Sequence, residues 1–141
     1  MIKIAIGADH RGFEQKKIIQ SCINALWVDV GTYTTERVDY PVYATKVVNV
    51  MHAGQVDCGI LLCGSGAGMA IAANRYEHIY AAVAWNEIIA RRVKEEDKCN
   101  VLVLPSDMIA DDTVCGIVDA WLSAQFKEGR YAQRIGMIDT I

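Results

Sequence analysis

The chain has 141 residues, 52% of them apolar, and a formal net charge of −3. That size and composition suit a globular domain able to bury its own core, and exclude a disordered chain. The acidic balance argues against the basic face of a nucleic-acid binder, and no run reaches the roughly 18 apolar residues of a membrane span.

"IKIAIG" at 2–7 reads as a buried strand, followed by a helix over 11–25 with apolar residues near 3.6 spacing. "LWVDV" at 26–30 is a second strand, then a loop "GTYTTERVDYP" and a helix over 42–53. "CGILLC" at 58–63 predicts a third strand, running into a helix over 66–74. "YAAVA" at 80–84 and "NVLVL" at 100–104 predict the fourth and fifth strands, with a helix over 86–97 between them. A last helix at 110–125 precedes a polar tail, "FKEGRYAQRIGMIDTI". This alternation predicts an α/β fold: a three-layer αβα, Rossmann-like arrangement with a five-stranded parallel sheet, in a single domain over 1–141.

Five cysteines, at 22, 58, 63, 99 and 115, form an odd set without C-x-x-C. Neither a disulfide framework nor a zinc knuckle is expected. The start "MIKIAIGADH" lacks the features of a secretory signal, so the expected setting is a reducing cytoplasm, with no nucleic acid and no membrane as partners.

Open parallel sheets bind ligands past the carboxyl ends of their strands. The residues to inspect are therefore 8–12 (Ala-Asp-His-Arg-Gly), 63–68 (Cys-Gly-Ser-Gly-Ala-Gly), 85–87 and 105–107. Gly64, Gly66 and Gly68 let backbone N–H groups approach an anion at the start of a helix. The spacing is G-x-G-x-G, not the G-x-G-x-x-G of a dinucleotide site, although Glu87 stands about where that site wants an acid. A cysteine phosphatase would need an arginine in 64–70, and none is present. A third use is a proton-transferring thiol, Cys63, beside an oxyanion pocket, with the helix start lowering the thiol's pKa toward neutrality. A plain buried strand cysteine before a tight turn fits the loop equally well.

Asp9-His10 directly follows the first strand, where a histidine suits proton transfer or phosphate contact, or simply caps the next helix. Arg130 and Arg134 are i, i+4, so on a helix they share a face, as a phosphate clamp or as a solvated basic patch.

Together these stretches resemble the type B ribose-5-phosphate isomerases and the related galactose-6-phosphate isomerase subunits. The resemblance runs nearly end to end: "GADHRGF" (7–13), "GTYTTERVDYP" (31–41), "GILLCGSGAGMAIAANR" (59–75), "IVDAWLSAQF" (117–126) and "GRYAQRI" (129–135). It implies an aldose–ketose isomerase acting through a cis-enediolate, with no cofactor and no metal. By the same resemblance Cys63 is the base and Ser65, usually threonine, keeps a hydroxyl; Gly64, Gly66 and Gly68 offer N–H groups. Asp9 touches sugar hydroxyls, Tyr40 lines the pocket, and Asp97 and Asn100 contact substrate. His10, Arg130 and Arg134 hold phosphate. The partners implied are a small phosphorylated sugar and a second copy, in a homodimer or dimer of dimers with sites at the interface and the tail at 126–141 packed across it.

Three positions depart from the pattern. The family's His-Asn-x-x-Asn becomes Glu96-Asp97-Lys98-Cys99-Asn100, losing the histidine credited with ring opening. An arginine often found after the fifth strand is Asp107, and the tail's Arg-His is Arg130-Tyr131. Asp9 or Asp97 then opens the ring of a pentose phosphate, or a tetrose 4-phosphate needs no opening, or a partner in a mixed assembly supplies the missing groups.

Overall fold

The computed structural model describes all 141 residues. Five strands form one all-parallel sheet in the order β2-β1-β3-β5-β4, namely β1 (Lys3–Ala8), β2 (Leu26–Asp29), β3 (Cys58–Cys63), β4 (Ala81–Val83) and β5 (Val101–Pro105). Its helices are α1 (Phe13–Cys22), α2 (Tyr40–His52), α3 (Ala67–Ala73), α4 (Glu87–Asp97), α5 (Val114–Ser123) and α6 (Arg130–Ile138). The α/β alternation expected from the sequence is present, with every strand where an apolar run predicted one.

Strand order follows burial. β3 and β5 are buried at every residue and take interior places, whereas β4 is half-buried throughout and lies at an edge. Side chains alternate between two cores, as a pleated strand requires. Ile4, Ile6, Ile60, Leu62, Leu102 and Leu104 share one core with Ile19, Ile117 and Trp121 of α1 and α5. Ala5, Leu61, Cys63, Val101 and Val103 face the other, with Val47 and Val48 of α2 and Met69 of α3. Cys63 is thus directed toward the α2–α3 layer by its strand parity alone.

Two expectations need correction. The tail is not merely polar: from Arg130 to Ile138 it is α6, which buries Ile135, and Asp139 just beyond it accepts a 2.6 Å hydrogen bond from the Tyr80 hydroxyl. And Cys22 is joined to Cys115, 93 residues away, with Cα atoms 6.3 Å apart. Spacing along the chain carried no hint of this, because it is the packing of α1 on α5 that brings the pair together. The cross-link closes a loop whose entropy in the unfolded chain corresponds to about 4–5 kcal/mol on the chain-entropy account. The other three cysteines are free and buried.

A buried lysine fixes the route to the site. Lys16, on α1, bonds Asp29 Oδ1 at 2.7 Å and the Thr32 carbonyl at 2.5 Å. A buried ammonium is tolerable only when paired in this way. The pair ties the end of β2 to the loop that delivers Tyr40.

Candidate active site

The chain goes from β1 outward to β2, then crosses back to β3 on the other side, so the sheet's switch point lies between β1 and β3. Asp9 and Cys63 stand at the carboxyl ends of those two strands. They border an open cleft of about 460 Å³, which Arg11, Tyr40, Gly64, Ser65, Gly68 and Asp107 also line.

Each wall has a local cause. Asp9 Oδ1 accepts from the Arg11 and Gly12 N–H groups at 2.9 and 3.2 Å, which turns the chain sharply after β1. Gly12 packs so tightly on β3 that a Cβ there would lie 2.5 Å from Leu62 Cβ. Gly66 caps α3 at φ +76°, a conformation that glycine adopts without strain. Ser65 Oγ accepts from the Ala67 N–H at 3.2 Å, leaving its own O–H free to donate toward the cleft. The Tyr40 ring lies directly over Gly68, where any Cβ would overlap it.

The backbone N–H groups of Met69, Gly66 and Ser65, close to Cys63, favour its thiolate, but burial outweighs them. Burial first, and the Asp9 carboxylate beside it, push the thiol above its ordinary value. The expectation of a thiol lowered toward neutrality is therefore corrected: desolvation beats the oriented N–H groups. A thiol held high is a stronger base once deprotonated.

At the cleft mouth, Arg11 Nη1 meets Asp107 Oδ2 at 2.6 Å. Asp107 is set there by its own N–H, which bonds the Gly64 carbonyl at 3.0 Å. The sequence marks Asp107 as a departure from the family pattern and places Arg11 among the residues past β1, but does not pair them. The available signal was two opposite charges, each just past a strand end, on elements that flank β3.

Within this chain, Cys63, Ser65, Asp9, Tyr40, Gly64 and Gly68 come together, and the remaining predicted residues do not line the cleft. The Gly66 N–H is close enough to Cys63 to favour its thiolate. His10 is half-buried beside the cleft, and its Nδ1 accepts from the Val38 N–H at 3.2 Å, so the neutral ring carries its proton on Nε2. Asn100 spends its amide on the protein: Oδ1 takes the Tyr80 N–H and Nδ2 gives to the His78 carbonyl, both at 2.8 Å. Asp97 borders a different cavity, with Tyr80, Cys99 and Ile138, where burial and then Glu96 raise its carboxyl pKa. Arg130 and Arg134 lie on α6, packed around the Tyr131 ring with centroid distances of 5.0 and 5.6 Å. No group of three or more histidine, cysteine or acidic side chains is placed to hold a metal ion.

A thiol, a carboxylate and a glycine loop at the switch point of a parallel sheet define a small-molecule site of the acid–base kind. The chain belongs to the ribose/galactose isomerase family, whose model matches residues 4–138. Ribose-5-phosphate isomerase B of Escherichia coli is 41% identical over 144 aligned residues, covering 100% of this chain and 97% of that protein. The crystal structure of a ribose 5-phosphate isomerase from Thermotoga maritima superposes with TM-score 0.96 at 43% identity, over 99% of both chains. A ribose-5-phosphate isomerase B from Mycoplasma genitalium, solved with bound ribulose-5-phosphate, gives TM-score 0.90 at 36% identity, over 98% of this chain and 94% of that one.

Proposed function

We propose that the chain is a cofactor-independent aldose–ketose isomerase of a phosphorylated sugar, with ribose 5-phosphate and ribulose 5-phosphate as its pair. The observation that carries this reading is the Cys63 thiol at the end of β3, lining a cleft that it shares with Asp9, Ser65 and the glycine loop. A strand cysteine with no chemistry to do would meet packed apolar atoms alone, whereas Cys63 packs on its core and also borders the cleft.

The Cys63 thiolate removes the proton from C2 of the open-chain aldose. The C–H electron pair becomes the C1–C2 double bond, and the carbonyl electrons move to O1, giving a cis-enediolate. The thiol returns its proton to C1 while the O2 hydroxyl proton passes to O1 and O2 becomes the ketone. The free Ser65 O–H and the Gly64 and Gly68 N–H groups stabilise the developing charge on O1 and O2. Asp9 orients the sugar hydroxyls and is the group within this chain placed to assist ring opening, and Tyr40 closes one side of the cleft.

We further infer a homodimer with shared sites. Asp97 and Asn100 stand before β5 and the cleft lies beyond its far end, a strand length of roughly 16 Å away. Residues at that end, with Arg130 and Arg134, serve the cleft only when a second copy brings them. Exposed Val42 and Ile71, at 50% and 62%, sit on α2 and α3 beside the cleft and suit burial between copies. Mixing a Cys63→Ser chain with an Arg130→Ala/Arg134→Ala chain is expected to restore activity through hybrid dimers, and no restoration would remove the shared-site inference.

The test of the reaction is proton exchange in D2O, followed by NMR, with a panel of tetrose, pentose and hexose phosphates. Deuterium enters at C2 with the native chain and not with Cys63→Ser. Exchange retained in full by that variant would end the assignment of Cys63 as the base, and turnover of another member of the panel alone would replace the pentose.

A further inference from the structure

The cleft is built to receive a dianion yet carries two carboxylates, Asp9 and Asp107, among its walls. Arg11 is the one cation that lines it. A sugar phosphate brings a charge of about −1.5 to −2 at neutral pH, which two carboxylates alone would repel.

The position of Arg11 is specified by the fold. Its stem crosses Gly64, where a Cβ would lie 2.8 Å from Arg11 Cδ and 2.8 Å from Asp107 Oδ2. Asp107 occupies Nη1 alone, so Nε and Nη2 keep their N–H groups free for a second, forked contact. The depths differ in a useful way. Cys63 is 5% exposed, whereas the Arg11 and Asp107 side chains are 59% and 40% exposed. A sugar phosphate has the same polarity: its reacting carbons can be stripped of water, and its phosphate is strongly hydrated.

We propose that Arg11 is the phosphate-binding cation that the chain supplies to its own cleft, with Asp107 as the positioning residue that holds the guanidinium over Gly64. This rests on the isomerase reading above. It places one phosphate ligand on the same subunit as the base, whatever a second copy adds.

The experiment compares the native chain with Arg11→Gln and Arg11→Lys, using ribose 5-phosphate, unphosphorylated ribose and inorganic phosphate. Arg11→Gln is expected to raise KM for ribose 5-phosphate and the inhibition constant of inorganic phosphate about 10- to 100-fold, the loss of charge-assisted hydrogen bonds. The loss in kcat/KM for unphosphorylated ribose, read as C2 exchange in D2O, is expected to be at least tenfold smaller. Arg11→Lys keeps the charge without the fork and should fall between the two. Equal losses on both sugars, or an unchanged phosphate constant, would overturn the proposal. Calorimetric titration with inorganic phosphate needs no turnover. A native chain that binds phosphate through Arg11 and isomerises nothing would therefore refute the isomerase reading while leaving Arg11 in place.

Discussion

β3 begins and ends with a cysteine, and the two ends behave as different materials. Cys58 is sealed in the core below the sheet's amino edge, its thiol pushed up to about 12 mainly by burial. Cys63, five residues on, is also driven up by burial, but nearby backbone N–H groups favour its thiolate and a cleft reaches it. Both are free, buried and on the same strand. On the proposed reading, chemistry belongs to the carboxyl edge, where the chain turns and exposes its N–H groups, rather than to the residue type.

Identical changes at the two cysteines should have opposite consequences. Cys63→Ser is expected to lower kcat at least about 10³-fold with substrate binding nearly kept, because a serine hydroxyl is a far poorer base at neutral pH. Cys58→Ser is expected to leave kcat within about threefold and to destabilise the fold by about 1–3 kcal/mol, through a buried hydroxyl without a partner. Steady-state kinetics and urea unfolding on the two variants separate the effects. Comparable activity losses would dissolve the distinction.

The glycines repeat the contrast more gently. A Cβ at Gly59, near the amino end, would press to 2.7 Å from Val47 Cγ1 and 3.0 Å from Met51 Sδ in a closed core. Gly59→Ala is expected to cost about 1–3 kcal/mol of stability with activity per folded molecule intact. A Cβ at Gly64 meets instead the exposed Arg11 stem and the Asp107 carboxylate, which can move aside. Gly64→Ala should therefore fold normally and lose about tenfold in kcat/KM, as its bulk displaces the ion pair and narrows the cleft. Thermal melts alongside kinetics decide whether the two ends respond oppositely.

Activity against pH reports the same asymmetry at one end alone. With the Cys63 thiol above its ordinary value of 9.0, the thiolate is the minor form at neutrality. The expected profile of kcat/KM rises about tenfold per pH unit from neutrality and bends only above pH 9. A plateau beginning below pH 8 would mean that the N–H groups outweigh burial after all.

How far the sequence revealed this depended on how local each feature is. Strands and helices were legible because apolar runs and 3.6-residue spacing are local, and Cys63 was legible because it ends such a run at a glycine loop. The interior place of β5 was not, since it depends on which strand finds helices for both faces. Neither was the direction of the Cys63 shift: oriented N–H groups can be read from a loop, but desolvation depends on Leu61, Met69 and Val103 closing round it. The Arg11–Asp107 and Cys22–Cys115 pairs join residues more than ninety positions apart. Asn100 matched a motif position, yet its amide is committed to the backbone at Tyr80 and His78, a use invisible until the turn is built.

The smallest effect tests the amino end through stability. Cys58 and Cys99 are both raised from 9.0 to about 12, chiefly by burial. Between those limits the unfolded chain has released these thiol protons and the folded chain keeps them. The unfolded state then binds fewer protons, so stability falls as pH rises, by about 1.4 kcal/mol per pH unit for each thiol. The contribution is intact below pH 9 and declines through the window up to about 12. Unfolding free energies measured by urea from pH 8 to 10.5 should therefore slope downward, and Cys58→Ala should remove between about a third and a half of the slope shared by the three free thiols. Cys63→Ala should remove less, because nearby backbone N–H groups favour its thiolate and make ionisation in the folded state less costly. An equal reduction from both variants would mean that the two ends of β3 hold their thiols alike, and that cleft access, not thiol environment, separates the cysteine proposed as the base from the one that only packs.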